Sequence, residues 1–397
     1  MESTSFQAPL AYDPDDALAL MLGGGGARGA YQAGVLRGIA GRFPNLNFPI
    51  LAGISAGAVN TIHLAAHDGS LAQAADDLIA LWLALSPERV YDVRSVPLLR
   101  NAFSWGARLM SGGFGTGREP MRGLVDTDPL RKYLNAVLQR APDESLPGIA
   151  RNLNRGRLKA VALSATSYTT GQSVTWIEGR DFELWQRPQR RTEPAKLTVE
   201  HVMASSALPM LFPAVKVGEE WYGDGGVRLT APLSPSLHLG ASRILTISTK
   251  YQRTRAEADK PATVGYPPPA QVLGVLYNAV FLDLIDEDIL RLRKVNDLLR
   301  QIKPQQRAKM RVVDILVLRP SHDLGKLAGE FEPRLPGLFR YLTRGLGTKQ
   351  TASPDIVSLI LFQADYLKRL IDLGEEDAVA SGDAIEAFLA KPPADPL

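Results

Sequence analysis

Cysteine is absent from the 397-residue sequence, and its absence excludes several kinds of site at once. Without thiols the chain cannot form disulfides, use a cysteine nucleophile or bind a metal through thiolate ligands. Histidine is scarce too, with five residues in the whole chain. No cluster of histidine and acidic residues has the spacing of a metal site. We therefore expect a site that contains no metal.

Long hydrophobic runs and a dominant charge sign are also missing. No apolar stretch reaches the ~20 residues that a transmembrane helix requires. The first residues, Met1-Glu-Ser-Thr-Ser5, lack the basic and then apolar pattern of a secretory signal. The net charge of +3, from 45 basic and 42 acidic residues, does not indicate nucleic-acid binding and supports at most a modest attraction to anionic surfaces. The composition, 45% hydrophobic and 22% charged, is typical of a globular protein.

The chain is organised around Gly53-Ile-Ser55-Ala-Gly57, where a short apolar run meets a helical one. Residues 50–52 have the pattern of a buried strand, and residues 56–66 are rich in Ala, with Leu and Ile, at helical spacing. A serine hydroxyl is a poor nucleophile until a sharp turn lifts it clear of its neighbours and a base accepts its proton. The pattern also occurs by chance in a chain with 35 glycines. The strand-turn-helix context is what favours a nucleophile elbow at Ser55.

A glycine loop precedes the elbow by one helix. The pattern predicts a strand over 17–22, then Gly23-Gly-Gly-Gly26-Ala-Arg28-Gly29, then a helix over 31–39. Glycines let successive backbone N–H groups point at one spot, and the start of the helix adds the positive end of its dipole. We therefore predict a cradle for a transient anion, which a serine attacking a carbonyl would generate. A glycine turn that serves only close packing is the alternative interpretation.

Two nucleotide-binding motifs are similar to this loop, and the residues around it argue against both. Gly24-x-Gly26-x-x-Gly29 satisfies the dinucleotide fingerprint, but that motif also requires an acidic residue about 20 positions later. No acidic residue occurs between Asp16 and Asp68. A phosphate-binding P-loop requires Lys-Ser or Lys-Thr after the glycines, and neither dipeptide is present there.

Asp224 is the candidate base. It lies in Gly223-Asp224-Gly-Gly226, directly after a predicted strand that includes Trp221 and Tyr222. An aspartate between glycines is by itself most often part of a tight turn. However, α/β folds place their sites at strand ends, and the elbow serine otherwise lacks a base.

The histidines are weaker candidates for the base. His63 and His67 follow Ser55 by 8 and 12 residues on the same predicted helix. At 1.5 Å per residue they lie about 12 and 18 Å along its axis, which is out of reach. His201 and His238 lie on predicted helices beside apolar residues and are interpreted as structural. His322 follows a predicted strand and is the one histidine that the sequence leaves open as a base.

The chain divides into regions of different amino-acid composition. We predict a flexible N-terminal lead-in over 1–16, a catalytic domain over 17–250, a proline-rich linker over 251–270 and a mostly helical C-terminal region over 271–397, packed on the catalytic domain. The elements expected in the last region are a long amphipathic helix over 271–302, a strand over 312–318, and helices over 356–373 and 375–389.

The three motifs together resemble those of bacterial patatin-like phospholipases. They are Gly24-Gly-Gly-Ala-Arg28-Gly29, Gly53-Ile-Ser55-Ala-Gly57 and Asp224-Gly-Gly226, in this order and at familiar separations. The resemblance covers roughly 18–248, including Ala204-Ser-Ser-Ala-Leu-Pro209, and 361–377 is similar to the end of many bacterial members. It implies a three-layer α/β/α patatin-like fold with a mostly parallel central sheet and a largely helical C-terminal extension.

The resemblance also implies the roles of the motif residues. Ser55 would be the nucleophile and Asp224 the base of a Ser–Asp dyad, with no metal and no cofactor. The expected oxyanion-hole N–H groups are those of Gly24, Gly25, Gly26 and Ala56. Arg28 is expected to pin the loop or the anion. The remaining motif residues, expected to support the turns, are Gly29, Gly53, Gly57, Gly225 and Gly226.

The implied function is a serine lipid acyl hydrolase that cleaves carboxylic esters of phospholipids or lysophospholipids through an acyl-enzyme. The alternative is a catalytically silent lipid- or nucleotide-binding protein of the same fold, although a silent relative usually lacks the serine or the aspartate. The expected partners are the lipid substrate and a peripheral membrane contact, without nucleic acid. We expect a cytoplasmic protein with peripheral contact to the inner membrane. The sequence leaves the headgroup, the acyl chain length and the oligomeric state open.

A flap is predicted over 101–117, where Phe103, Trp105 and Phe114 are set among glycines. Aromatic side chains suit the headgroup layer of a lipid surface, and glycines permit movement. An ordinary packed loop is the alternative interpretation.

Overall fold

The computed structural model describes residues 17–92, 123–263, 265–308, 310–335, 340, 345, 347–348, 351 and 353–392. Two of the predicted features, the lead-in over 1–16 and the flap over 101–117, lie outside the described residues.

A ten-stranded mixed sheet forms the centre of the fold. Its strands in chain order are β1 (Leu18–Leu22), β2 (Ile50–Ile54), β3 (Ala160–Ser167), β4 (Ser173–Gly179), β5 (Gln186–Arg187), β6 (Arg190–Pro194), β7 (Val215–Val217), β8 (Glu220–Asp224), β9 (Arg243–Ile247) and β10 (Asp314–Leu318). They are arranged β10-β9-β1-β2-β3-β4-β6-β5, and β8 pairs with both β3 and β7. The first five strands of this order are parallel, and β3 and β4 form an antiparallel hairpin.

Helices cover both faces of the sheet. In chain order they are α1 (Gly29–Arg42), α2 (Ala56–Ala66), α3 (Leu71–Leu83), α4 (Pro87–Val90), α5 (Asp128–Val137), α6 (Pro147–Asn154), α7 (Val199–Ser205), α8 (Ser234–His238), α9 (Arg255–Ala258), α10 (Pro269–Phe281), α11 (Leu284–Arg300), α12 (Leu324–Phe331), α13 (Asp355–Ile360), α14 (Ala364–Ala380) and α15 (Gly382–Ala390). Single 3-10 turns occur at Gly26–Arg28, Gly225–Val227, Pro304–Gln306 and Glu332–Arg334.

The two faces of the sheet belong to two separate hydrophobic cores. Successive side chains of a strand point to opposite faces, and β1 shows this clearly. Leu20 packs into the core that contains α1, α2, α3 and α14, whereas Met21 packs into the core that contains Ile285 and Ile289 of α11. Because both faces are covered, β1 reads as an unbroken apolar run. The predicted three-layer α/β/α fold is therefore confirmed.

The region beyond residue 250 packs closely on the rest of the fold. Strand β10 extends the sheet by parallel pairing with β9. Helices α1 and α14 are in close contact where each has a glycine. A Cβ on Gly34 of α1 would overlap the Ile371 carbonyl, and a Cβ on Gly374 of α14 would overlap the Tyr31 carbonyl. The division of the chain into domains stays a prediction. Among the described residues, no helix is both long enough and apolar enough to cross a bilayer.

The three helices predicted over 271–302, 356–373 and 375–389 are all wrong in their extent. The last one does not begin at residue 375, because α14 continues to Ala380 and a break at Ser381 precedes α15. The single helix over 271–302 is two helices, α10 and α11, because the chain turns at Leu282 and Asp283, whose N–H groups both donate to Asn278 O. The helix over 356–373 is likewise divided into α13 and α14, with Gln363 in an extended conformation between them. Apolar spacing continues across the breaks that follow α10 and α13, so the pattern did not reveal them.

The register of β3 brings the ends of two other strands together. Ile54, the last residue of β2, pairs with Ser164 of β3. The next residue of β3, Ala165, pairs with Asp224 at the end of β8. One edge of β3 pairs with β4. Along the other edge, β3 pairs first with β2 and, beyond the end of β2, with β8. Asp224 therefore lies at the end of β2, where Ser55 follows.

Candidate active site

Ser55 forms a strained turn between β2 and α2. Its backbone has φ 55° and ψ −127°, a conformation that a residue with a side chain seldom adopts. The turn brings the start of α2 so close to β1 that a Cβ on Gly57 would overlap the Leu22 carbonyl. The predicted helix over 56–66 is confirmed, and the strand extends to Ile54. This is the strand-turn-helix geometry of a nucleophile elbow.

Three further serines hold the elbow in place. The Ser55 N–H donates to Ser205 Oγ at 3.0 Å, and that hydroxyl donates to the Ser164 carbonyl at 2.7 Å. Ser206 Oγ donates to the Ser55 carbonyl at 2.9 Å. Sequence reasoning noted Ala204-Ser-Ser only as part of the family resemblance and missed this role. The signal available was weak, since two serines at the end of a short helix have many uses.

Asp224 is fully buried and held at four points. Its N–H donates to Ala207 O, and its carbonyl accepts from Thr166 Oγ1, both at 2.9 Å. Its Oδ1 accepts from the Gly226 N–H at 2.9 Å. A Cβ on Gly225 would overlap the Ser164 carbonyl, so the loop also packs directly on β3. Within the described part of the chain, Oδ2 makes no hydrogen bond of normal geometry.

Burial raises the pKa of Asp224 to about 7, although the Ser55 hydroxyl and the Gly226 N–H both act to lower it. The Ser55 hydroxyl is thus near enough to stabilise the carboxylate, but the contact falls short of a well-formed hydrogen bond. Catalytic hydrogen bonds are often long before substrate binds and tighten in the complex. A carboxylate with a pKa near neutrality and one free oxygen can accept a proton at physiological pH.

The glycine loop lies against the elbow. A Cβ on Gly24 would be 3.1 Å from Ser55 Cβ, and Thr249 Oγ1 donates to the Gly24 carbonyl at 2.6 Å. Gly25 and Gly26 have φ of 149° and 55°, which glycine adopts without a steric penalty. Among the described residues, no acceptor receives a hydrogen bond from the N–H groups of Gly25, Gly26 or Ala56. The site thus contains N–H groups available to stabilise an oxyanion.

Arg28 ends the loop and is only 3% exposed. Its Nη2 donates to Asp355 Oδ1 and its Nε to Ser358 Oγ, both at 2.7 Å. Of the two alternatives considered for this side chain, these contacts favour pinning the loop. Gly29 packs tightly as well, because a Cβ there would clash with the Trp82 ring.

The histidines have structural partners. His201 stacks edge-on against Trp176 and bonds to Thr198, and burial lowers its pKa to about 4. Burial also lowers the pKa of His63 to about 4, and its Nε2 lies 3.0 Å from the Ala74 carbonyl.

The other three histidines lie in different surroundings. His67 is paired with Asp77, and His238 stacks on Trp185. His322 is exposed beside Ser321. Among the described residues, no histidine hydrogen-bonds to Ser55 or Asp224, and no group of three candidate metal ligands occurs.

Helix α10 supplies a wall of the site that sequence reasoning missed. A Cβ on Gly226 would overlap the Phe281 ring, and Tyr277, stacked on Phe281, donates to the Pro209 carbonyl at 2.9 Å. Burial and the charge of Asp224 raise the pKa of Tyr277 to about 12. The same two causes raise the pKa of Tyr168. Because these contacts join residues far apart in the chain, no local pattern indicates them.

Comparison with known proteins gives a family match and several structural likenesses. The patatin-like phospholipase family model matches residues 20–237, more than half of the chain. The human GIVD cytosolic phospholipase A2, in complex with methyl gamma-linolenyl fluorophosphonate, is 14% identical with a TM-score of 0.45, and 95% of this chain matches 59% of that one. VipD from Legionella pneumophila is 14% identical with a TM-score of 0.35, over 90% of this chain and 67% of that one.

The type III effector protein ExoU, from Pseudomonas aeruginosa, is 13% identical with a TM-score of 0.29, over 95% of this chain and 61% of that one. The chain thus spans about three fifths of the length of the human phospholipase and of ExoU. Comparison with the curated proteins gives no match. Since the TM-scores are below 0.5, the assignment rests on the family match, and bacterial origin stays a prediction. On that match, the chain belongs to the patatin-like phospholipase family.

Proposed function

We propose that the chain is a serine lipid acyl hydrolase that cleaves carboxylic esters of phospholipids or lysophospholipids. One observation carries the proposal. A fully buried Asp224, with a pKa raised to about 7 and Oδ2 free, lies beside a serine held in a strained turn. Structural aspartates in turns are seldom buried in this way, whereas groups that accept and return a proton are tuned toward neutrality.

The reaction follows in two halves. Ser55 Oγ bonds to the ester carbonyl carbon while its proton passes to Asp224 Oδ2. The resulting oxyanion is stabilised by N–H groups of Gly24, Gly25, Gly26 and Ala56. The bond to the leaving alcohol then breaks, and Asp224 returns the proton to that alcohol. Water next attacks the acyl-enzyme carbonyl carbon while its proton passes to Asp224. The bond to Ser55 Oγ then breaks, Asp224 returns the proton to Ser55 Oγ, and the fatty acid is released.

The backbone donors are expected to matter nearly as much as the side chains. Removal of one oxyanion donor costs ~3 kcal/mol of transition-state stabilisation. The loop has no side chains that could block the oxyanion, and its N–H groups are available without rearrangement. This is an arrangement that a protein binding an intact lipid would not need.

A catalytically silent lipid-binding or nucleotide-binding protein is the alternative. The retained serine and aspartate, the raised pKa of Asp224 and the unused N–H donors all favour the enzyme. A site for a dinucleotide would require an acidic residue after β2, and the sequence has none before Asp68.

A peripheral membrane contact is part of the proposal, with α10 as a surface that supports it. The sequence has no charged residue over 261–282. On the outer side of α10, Val272, Val275 and Leu276 are 47%, 56% and 55% exposed. The inner side of the same helix carries Phe281, which contacts the Asp224 loop. An uncharged apolar surface next to the site suits contact with lipid chains, while the cytoplasmic location stays a prediction.

Lipid mass spectrometry tests the proposal. The purified protein is incubated with total bacterial membranes, and the Ser55→Ala variant serves as the control. We expect free fatty acids and the matching deacylated lipids to appear only with the wild type. Unchanged lipids in the presence of folded wild-type protein would contradict an acyl hydrolase and favour the silent alternative.

A further inference from the structure

The oxyanion loop is anchored to a helix more than 300 residues away in the chain. Arg28, at the end of the loop, donates to both Asp355 and Ser358 of α13. The contact extends to the backbone, since a Cβ on Gly26 would overlap the Leu359 carbonyl. Any shift of α13 would therefore move the glycine loop that lies against the elbow.

Asp355 also links this anchor to the opposite side of the site. Its second oxygen, Oδ2, accepts from Asn278 Nδ2 at 2.8 Å, and Asn278 belongs to α10. The same helix contacts the Asp224 loop, where Phe281 packs on Gly226. Contacts from Arg28 to Asp355, from Asp355 to Asn278, and from α10 to Gly226 thus connect the oxyanion loop with the Asp224 loop. All of α10 and α13 lies beyond residues 20–237, over which the family model matches.

We propose that Asp355 is a positioning residue, which with Asn278 sets the oxyanion loop in register with Ser55 and Asp224. The inference rests on the proposed acyl hydrolase function. A planar guanidinium held by two acceptors cannot rotate freely, and a carboxylate that uses both oxygens fixes the two helices relative to each other. Because Arg28 is 3% exposed and engaged through Nε and Nη2, it acts on the loop and not on a substrate headgroup.

The test uses the full chain and a soluble, uncharged short-chain p-nitrophenyl ester. The variants are Asp355→Asn and Asn278→Ala. The matched control is Asp383→Asn, which also removes an ion pair between the C-terminal region and α1, with Arg42, but at a 99% exposed position. We expect kcat to fall ~10- to 100-fold in Asp355→Asn, somewhat less than for outright loss of an oxyanion donor, with KM within about twofold. The control should match the wild type.

Two further readouts separate positioning from a merely structural role. Affinity for a trifluoromethyl ketone, which forms an oxyanion on the serine, should fall in parallel with kcat, while thermal unfolding shows that each variant is folded. Arg28→Lys alone should also lower kcat, because lysine is shorter and lacks the two separate nitrogens with which arginine reaches Asp355 and Ser358. When Arg28→Lys is combined with Asp355→Glu, the longer acidic side chain can again reach the cation. The double variant should therefore recover part of the lost kcat.

Each possible result supports or overturns the inference. Folded Asp355→Asn and Asn278→Ala with wild-type kcat would overturn it, as would loss of ketone affinity in the Asp383→Asn control. Loss of activity on phospholipids but not on the uncharged ester would assign Arg28 and Asp355 to headgroup recognition instead. If Asp355→Asn does not fold, Asn278→Ala decides alone. A wild type that hydrolyses no ester would overturn the proposed function and this inference together.

Discussion

The Ser55 N–H donates a 3.0 Å hydrogen bond to the side chain of Ser205, 150 positions later in the chain. Ser205 in turn donates to the Ser164 carbonyl, so one hydroxyl ties the elbow to β3. The strained turn is therefore held from outside its own strand and helix.

Ser205→Ala should weaken both the fold and the reaction. It leaves the Ser55 N–H and the Ser164 carbonyl without partners in a buried site, which costs ~1–3 kcal/mol in the free energy of unfolding. We expect kcat to fall because the elbow relaxes, measured on a soluble ester beside urea unfolding. Ser236→Ala is the matched control, since Ser236 is also buried but its hydroxyl has no hydrogen-bond partner among the described residues. Equal effects of both changes would contradict the role of Ser205.

The activity should depend on pH through Asp224. A base works when it has lost its proton, and burial raises the pKa of Asp224 to about 7. We therefore expect kcat/KM to rise with pH and to level off above about pH 7. Asp224→Asn, which keeps the shape but removes the basic oxygen, should abolish hydrolysis as fully as Ser55→Ala. An active Asp224→Asn protein would remove this residue from the mechanism.

The same carboxylate should lower the stability of the fold at neutral and higher pH. Its pKa is about 7 in the folded state and near 3.8 when unfolded, so the folded state holds the proton more tightly. That contribution is complete below about pH 4 and is lost as the pH rises to about 7. The cost of ionising Asp224 is on the order of 4 kcal/mol above that range.

Urea unfolding at several pH values checks this expectation. Asp224→Asn cannot ionise, so its stability relative to the wild type should increase from pH 5 to pH 8. The comparison across pH is informative even if the asparagine itself packs poorly. A relative stability that does not change with pH would mean that the pKa of Asp224 is close to that of an ordinary aspartate.

No histidine should be needed for the chemical step. Single His→Ala changes at positions 63, 67, 201, 238 and 322 should leave kcat on a soluble ester largely unchanged. His201→Ala should lower the melting temperature, because that ring is buried against Trp176, while His322→Ala should not. If either variant matched Ser55→Ala in a folded protein, a triad would replace the proposed dyad.

Loss of apolar surface on α10 should affect aggregated lipid more than soluble substrate. We expect Leu276→Ser to lower the rate on phospholipid vesicles severalfold and to leave the rate on a soluble ester unchanged. Val379→Ser is the control, because Val379 of α14 is also exposed but lies one helical turn from Glu375 and Glu376. Similar losses on both substrates, or from both variants, would exclude α10 as the membrane contact.

The sequence alone determined the local geometry of the site. A compact apolar run, glycines at fixed offsets and a helical pattern located β1, β2, α1 and α2, and the turns at Gly26 and Ser55 that join them. These features are predictable because strand and helix periodicity and the conformational freedom of glycine act over a few neighbouring residues. The resemblance to a family then implied the fold that the structure confirms.

Only the tertiary structure decided what surrounds these turns. Burial of Asp224, and with it the raised pKa, results from β3, α7 and α10 together, and no single segment encodes it. The Arg28–Asp355 pair joins residues 327 positions apart. The break between α10 and α11 occurs where Leu282 and Asp283 both donate to Asn278 O, while the apolar spacing continues across it. Contacts between distant segments produce no local periodicity in the sequence, because the two partners come together only when the chain folds.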